Sequence, residues 1–163
     1  MEAVLDQEKG ILERIAGRFS GVDVENAKTA LRRIYLSVPE TVFMDVLRFA
    51  ATELEFSHLS TITGLDTGSN FEFLYHISRT DGVLMTLKYQ TKREDPVVIP
   101  TVLPIYNGAT FYEREVEGLL GVKVEGLPEG RQYPLPDNWP KGEYPMRKDW
   151  KPKAKTSDEV QNG

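Results

Sequence analysis

Three runs rich in β-branched and aromatic residues, LSTITGL (59–65), FEFLYHIS (71–78) and VLMTLKYQT (83–91), follow one another with only DTGSN and RTDG between them. Turn compositions this short leave no room for a crossover helix, so the three runs are predicted to pair as an antiparallel meander. Side chains alternate across a strand, which puts Phe71, Phe73, Tyr75 and Ile77 on one face and Val83, Met85, Leu87 and Tyr89 on the matching face of the next strand. That face needs a cover. Residues 3–19 supply one amphipathic helix, with Val4, Ile11, Leu12, Ile15 and Phe19 as its stripe, and residues 40–54 a second, started by Pro39 and carrying Phe43, Val46, Leu47, Ala50 and Leu54. Short strands are predicted at 22–26 and 31–38. The fold class is α+β, a mainly antiparallel sheet with amphipathic helices packed on it.

A third helix is predicted to begin near Gly108 or Ala109 and to end at Gly121, after a stretch that Pro100 and Pro104 keep irregular. Laid on a helix, FYEREVEGLLGV (111–122) places Phe111, Tyr112, Val116, Leu119 and Leu120 on one side and Glu113, Arg114 and Glu117 on the other. Glu115 then falls inside the apolar stripe. A carboxylate there must find a cation or stay protonated, so it reads either as a general acid or base or as half of a structural ion pair. The ion pair is favoured, because no second catalytic group is recognisable beside it.

From residue 126 the texture changes again. Six of the ten prolines fall in the remaining segment, and both tryptophans, Trp139 and Trp150, are there with Tyr133 and Tyr144. Such proline spacing excludes helix and hairpin, yet disordered segments are poor in aromatics. An extended strap lying across another surface reconciles the two, with the aromatics as anchors and Arg131, Arg147 and Lys148 pairing with acids. Packing back on its own domain is the alternative. The expected organisation is a core domain at 1–125, a partner-docking strap at 126–152 and a solvated tail at 153–163.

The chain has no cysteine, which excludes disulfides, thiol nucleophiles and cysteine-held zinc or iron–sulfur sites. His58 and His76 are far apart in strand-like stretches and make no metal site. No phosphate-binding glycine loop, nucleophile elbow or zinc-protease signature is present. A net charge of −5 argues against a nucleic-acid partner. No apolar run approaches the roughly 18 residues of a membrane span, and the opening MEAVLDQEKG is acidic where a secretory leader would be basic. These features lead to the expectation of a cytoplasmic protein.

Three ordered blocks carry a resemblance: IPTVLPIYNGATFYEREVEGLLGV (99–122), GLPEGRQYPLPDNW (126–139) and YPMRKDW (144–150). Together they resemble the family of the C subunit of respiratory complex I and its relatives in energy-converting membrane-bound [NiFe] hydrogenases. The resemblance implies a non-catalytic structural subunit of the cytoplasmic arm of an ion-pumping redox complex. The chain itself would hold no cofactor. It would dock on a hydrogenase-like large catalytic subunit near iron–sulfur small subunits, the [NiFe] site and the iron–sulfur clusters lying in those partners and membrane attachment coming through other subunits. On this reading Glu113, Arg114 and Glu115 fix the third helix by ion pairs, and Arg131, Trp139, Arg147, Lys148, Asp149 and Trp150 dock the strap. Gly118, Leu127 and Gln132 depart from the family pattern. They lean the expectation toward a hydrogenase or sulfur-reducing relative and away from an NADH:quinone oxidoreductase. An independent protein-binding module is the competing class; a stand-alone hydrolase using Glu113 or Glu115 ranks behind it.

Overall fold

The computed structural model describes residues 5–152 of the 163. The stripe position Val4 and the expected tail at 153–163 lie outside the described residues. Helix α1 (Asp6–Arg18) leads into a short hairpin of β1 (Lys28–Ala30) and β2 (Arg33–Ser37). Helix α2 (Glu40–Thr52) follows, then the long strands β3 (His58–Asp66), β4 (Asn70–Ser78) and β5 (Leu84–Lys92). A small unit completes the core: β6 (Val98–Pro100), a 3-10 turn (Asn107–Ala109), α3 (Thr110–Leu120) and β7 (Lys123–Glu125).

The meander forms as the turns require, β3 against β4 and β4 against β5, both antiparallel. The sheet is not wholly antiparallel, because β2 pairs parallel to β5 and gives the strand order β1-β2-β5-β4-β3. Helix α2 makes this possible by carrying the chain back from the end of β2. The strand expected at 22–26 is instead a turn. The Asp23 carboxylate accepts from the Asn26 backbone at 3.2 Å and bends the chain before β1 can start. Strand β7, which has no counterpart among the sequence expectations, pairs parallel with β6.

One face of the sheet carries the core. Phe71, Phe73, Tyr75, Ile77, Met85 and Leu87 are all but inaccessible, and Phe43 of α2 sets its ring 4.8 Å from that of Tyr75 and 4.4 Å from that of Tyr89. Helix α1 buries Ile11, Leu12 and Ile15 as expected. It also buries Glu8, whose Oε1 accepts the Arg32 backbone N–H at 2.6 Å and so fastens α1 to the β1–β2 turn. Helix α3 packs over the same face at β3, where Gly64 admits it: a Cβ at that position would stand 2.5 Å from Leu120 Cδ1.

Candidate partner-docking surface

The third helix does not rotate as its aromatic residues suggest. Positions 109, 113, 116, 118 and 120 are the buried ones, and Phe111 is 62% exposed. The acid inside is therefore Glu113, not Glu115. Its Oε1 accepts the Val102 N–H at 2.6 Å and its Oε2 the Thr101 hydroxyl at 2.7 Å. Burial pushes this carboxyl above the ordinary glutamate value, the two hydrogen bonds act against that, and the charge of Glu117 adds to it. Glu113 thus clasps the irregular 101–103 segment to α3 without any cation. The ion pairs expected of it are absent among the described residues.

The other two members of the block have separate surroundings. Arg114 Nη2 donates to the carbonyls of Pro128 and Glu129 at 3.2 and 3.3 Å, and its guanidinium fills the space a side chain at Gly130 would need. Glu115 is half-buried and has neither salt bridge nor hydrogen bond among the described residues. It stands beside Met146 at a small hollow between α3 and the free edge of β3. Glu117 does for β7 what Glu113 does for the preceding loop, accepting the Val124 N–H at 2.7 Å.

The strap divides into two parts. Residues 144–150 come home. Arg147 bonds both oxygens of Asp95 at 2.6 and 2.8 Å, donates to the Leu120 carbonyl at 2.6 Å and lies over the rings of Phe71 and Tyr144. The Lys148 backbone donates to Asp66, its Nζ to the Thr67 carbonyl, and Asp149 pairs with Arg93. Tyr144 sits where Gly121, in a left-handed conformation with φ of 69°, leaves no Cβ. Trp139 and Trp150 pack on each other at 5.9 Å, and their indole N–H groups both reach Glu143. Arg147, Lys148 and Asp149 therefore engage this chain's own sheet, the alternative that the proline-rich composition left open.

Residues 128–142 do the opposite. All of them are exposed except Leu135 and Trp139, which are half-buried. Phe111 and Tyr133 meet edge to face at 5.6 Å with 62% and 44% of their surfaces open, and Arg131 pairs in solvent with Asp137. Between this segment and α3 runs an open groove of about 660 Å³, edged by Arg114, Lys123, Arg131 and Lys141 and by Glu117 and Glu129. The departing residue Gly118 shapes it, since a Cβ there would stand 2.8 Å from the Tyr133 carbonyl oxygen. Leu127 is partly buried against the core, and the Gln132 side chain lies beside Gly118. The face joins exposed aromatic rings, charged side chains and a concave floor, the makings of a protein interface.

Among the described residues no three metal-binding side chains converge. His76 Nδ1 shares a hydrogen with Thr86 Oγ1 at 2.9 Å, burial holding its imidazole below the ordinary value. No helix of the described residues is long and apolar enough to cross a membrane.

Comparison with known proteins fits this geometry. Residues 36–156 match the family described as respiratory-chain NADH dehydrogenase, 30 kDa subunit. The chain is 32% identical over 143 residues to the C subunit of the F(420)H(2) dehydrogenase of Methanosarcina mazei, covering 86% of this chain and 89% of that one. It is 26% identical to the beta subunit of the membrane-bound hydrogenase of Pyrococcus furiosus, over 86% and 84% of the two chains. A chain in the structure of the membrane-bound sulfane sulfur reductase, an archaeal respiratory membrane complex, superposes with a TM-score of 0.79 at 28% identity, covering 90% of this chain and 86% of its own.

Proposed function

The chain belongs to the family of the respiratory-chain NADH dehydrogenase 30 kDa subunit, and from that premise we propose that it is a non-catalytic, peripheral subunit of a membrane-bound, energy-converting oxidoreductase complex. Its relatives in a hydrogenase and an F(420)H(2) dehydrogenase, and its structural likeness to a sulfane sulfur reductase complex, support this class of assembly. The finer reading is a place on the cytoplasmic side, against a hydrogenase-like large catalytic subunit and iron–sulfur small subunits. The [NiFe] site or its descendant and the clusters would lie in those partners.

Within this reading residues 1–125 are the core and 126–152 the docking strap. Its outward stretch, 128–142, reaches the large subunit through Arg131 and Trp139, with Phe111 and Tyr133 as the aromatic contact. Arg147, Lys148, Asp149 and Trp150 act one step back, holding the strap's far end so that the outward stretch is presented in one shape. Glu115, with no partner among the described residues, is free to meet a cation of the large subunit, while Glu113 and Arg114 set the helix and strap around it. The observation that carries the proposal is the exposed segment 128–142, aromatic and charged, held at both ends within the matched region.

The test is to tag this chain, purify it gently in detergent from native membranes and identify the accompanying subunits and their metals. A large subunit with nickel would identify a hydrogenase; the same partner without nickel would identify a complex I-type or sulfur-reducing relative. Recovery as a lone soluble protein would overturn the proposal in favour of an independent binding module.

A further inference from the structure

All three helices cover one face of the five-stranded sheet, and the register fixes what the other face carries. Reading across the strands, Lys28 lies opposite Tyr35, Tyr35 beside Thr86, Thr86 opposite His76 and His76 opposite Thr61. One uncharged, hydrogen-bonding row therefore crosses the whole sheet from a single terminal lysine. The adjoining row holds Leu74 and Thr63 beside Lys88, whose charge is met by Glu72 at 3.1 Å.

Charge on this face runs against that of the molecule. The chain carries a net charge of −5, yet the strand residues turned to the open side include Lys28, Arg33, Lys88 and Lys92 against Glu72 alone. Lys88 is answered by Glu72 and Lys92 approaches Glu94 at 3.7 Å. Lys28 and Arg33 have no carboxylate partner among the described residues. They stand together at the β1–β2 margin, where the connecting turn also exposes Leu31 to 62%.

We propose that this open sheet face is a second docking surface, separate from the strap, which seats an acidic face of a neighbouring protein subunit over the Tyr35–Thr86–His76–Thr61 row, with Lys28 and Arg33 as its cationic rim. The arrangement follows the anatomy of a protein interface: a centre depleted of charge, so that nothing unpaired is desolvated, and charge at the edge, where it steers. A nucleic acid would need cations along a phosphate track, and here they sit at the margins. A lipid surface would need a cluster of large apolar side chains to insert, and the central row Tyr35–Thr86–His76–Thr61 consists of side chains that all carry hydrogen-bonding groups. The proposal rests on the complex-subunit reading only in taking the occupant from the same assembly.

The test uses the tagged chain in its native complex with a photoreactive benzoylphenylalanine in place of Tyr35, and in a second strain in place of Trp139. The expected result is a Tyr35-position adduct on a subunit peptide next to surface carboxylates. Its yield should fall about tenfold in the Lys28→Glu, Arg33→Glu double variant, which replaces attraction by repulsion, while the Trp139-position adduct persists. An unchanged urea midpoint of the isolated double variant shows that its fold is intact. No adduct at position 35, an adduct to lipid, nucleic acid or a second copy of this chain, or a protein adduct indifferent to the charge reversal would overturn the proposal. The two positions separate the two readings. A position 35 adduct without a position 139 adduct sinks strap docking alone, and the converse sinks this surface alone.

Discussion

Arg147 and Asp95 face each other as fork and carboxylate, Nη1 and Nη2 at 2.6 and 2.8 Å from the two oxygens, 52 residues apart in sequence. The same guanidinium caps the end of α3 through the Leu120 carbonyl and lies over Phe71. A single side chain thus ties strap, helix end and sheet together. Arg147→Ala should cost about 2–3 kcal/mol in urea unfolding, since a charge-assisted hydrogen bond from a mostly buried guanidinium contributes about 1.5–3 kcal/mol. Arg147→Lys keeps the charge and loses the fork, so it should recover less than half. Limited proteolysis should show new cuts within 128–150 in both variants.

The same pair predicts how acid acts on the strap. Arg147 bonded to the Asp95 carboxylate, helped by the charge of Arg93, holds Asp95 below the ordinary aspartate value, and Asp149 is held low in the same way by Arg93. A carboxyl whose folded value is depressed stabilises the fold above its unfolded value and loses that contribution as pH falls through the folded one. The strap should therefore loosen below about pH 4, the unfolded aspartate range. Both tryptophans lie in the strap, so their fluorescence reports it directly. Asp95→Asn should flatten much of the acid transition, and an identical profile in that variant would rule Asp95 out as its cause.

How much of this is legible in the sequence depends on which force sets each feature. The meander and α2 are readable because alternation and a 3.6-residue period are local signals, and the core residues of β4 and β5 follow from parity alone. The parallel pairing of β2 with β5 is not, since it joins residues 51 positions apart with no local mark. The rotation of α3 is hidden for a definite reason. By residue type Phe111 and Tyr112 point inward and Glu113 outward, whereas Ala109, Glu113, Val116 and Leu120 keep the better period once a glutamate is allowed inside. Two donors 11 and 12 residues upstream, Val102 and Thr101, make that burial possible, and no composition rule announces them. Of the strap's aromatics, Trp139, Tyr144 and Trp150 are half-buried while Tyr133 stays exposed. Where those three are buried is decided by Asp95, Asp66 and Arg93, charged residues that read as ordinary surface.

Glu113 predicts a stability that changes with pH in the opposite sense to Asp95. Its folded value is raised by burial, so its contribution is complete below the ordinary glutamate value, about 4.3, and is lost as pH rises through the folded one. Glu113→Gln removes that titration. Its amide oxygen can still accept from Val102, and the Thr101 hydroxyl can turn to accept from the amide nitrogen. Wild type should therefore lose stability relative to Glu113→Gln between pH 4 and neutrality, as followed by urea titrations at each pH. Glu113→Ala strands the Val102 N–H and should cost about 1–3 kcal/mol at any pH.

Glu115→Ala separates fold from grip. With no partner among the described residues, its loss should leave the urea midpoint of the isolated protein nearly unchanged, within about 0.5 kcal/mol. If Glu115 meets a partner's cation at a buried contact, the same variant should reduce recovery of the assembled complex, because a charge left alone at an interface costs about 2–5 kcal/mol. Normal assembly with slowed turnover would instead return Glu115 to a chemical role.

Gly118→Ala sets a local preference against a tertiary one. In an exposed helix the change should stabilise by about 0.8–1.0 kcal/mol, because alanine loses less backbone freedom. Here the new methyl would stand 2.8 Å from the Tyr133 carbonyl oxygen, and backbone cannot swing aside as a side-chain end would. The strap must lift, carrying Tyr133 off Phe111 and widening the groove beside Arg114. Isolated Gly118→Ala protein should therefore keep or slightly raise its helix content by circular dichroism while becoming more open to limited proteolysis within 128–134. In the complex it should weaken retention of this subunit. A variant that gains stability, keeps the wild-type cleavage pattern and assembles normally would show that the strap's approach to α3 is not what positions the outward segment.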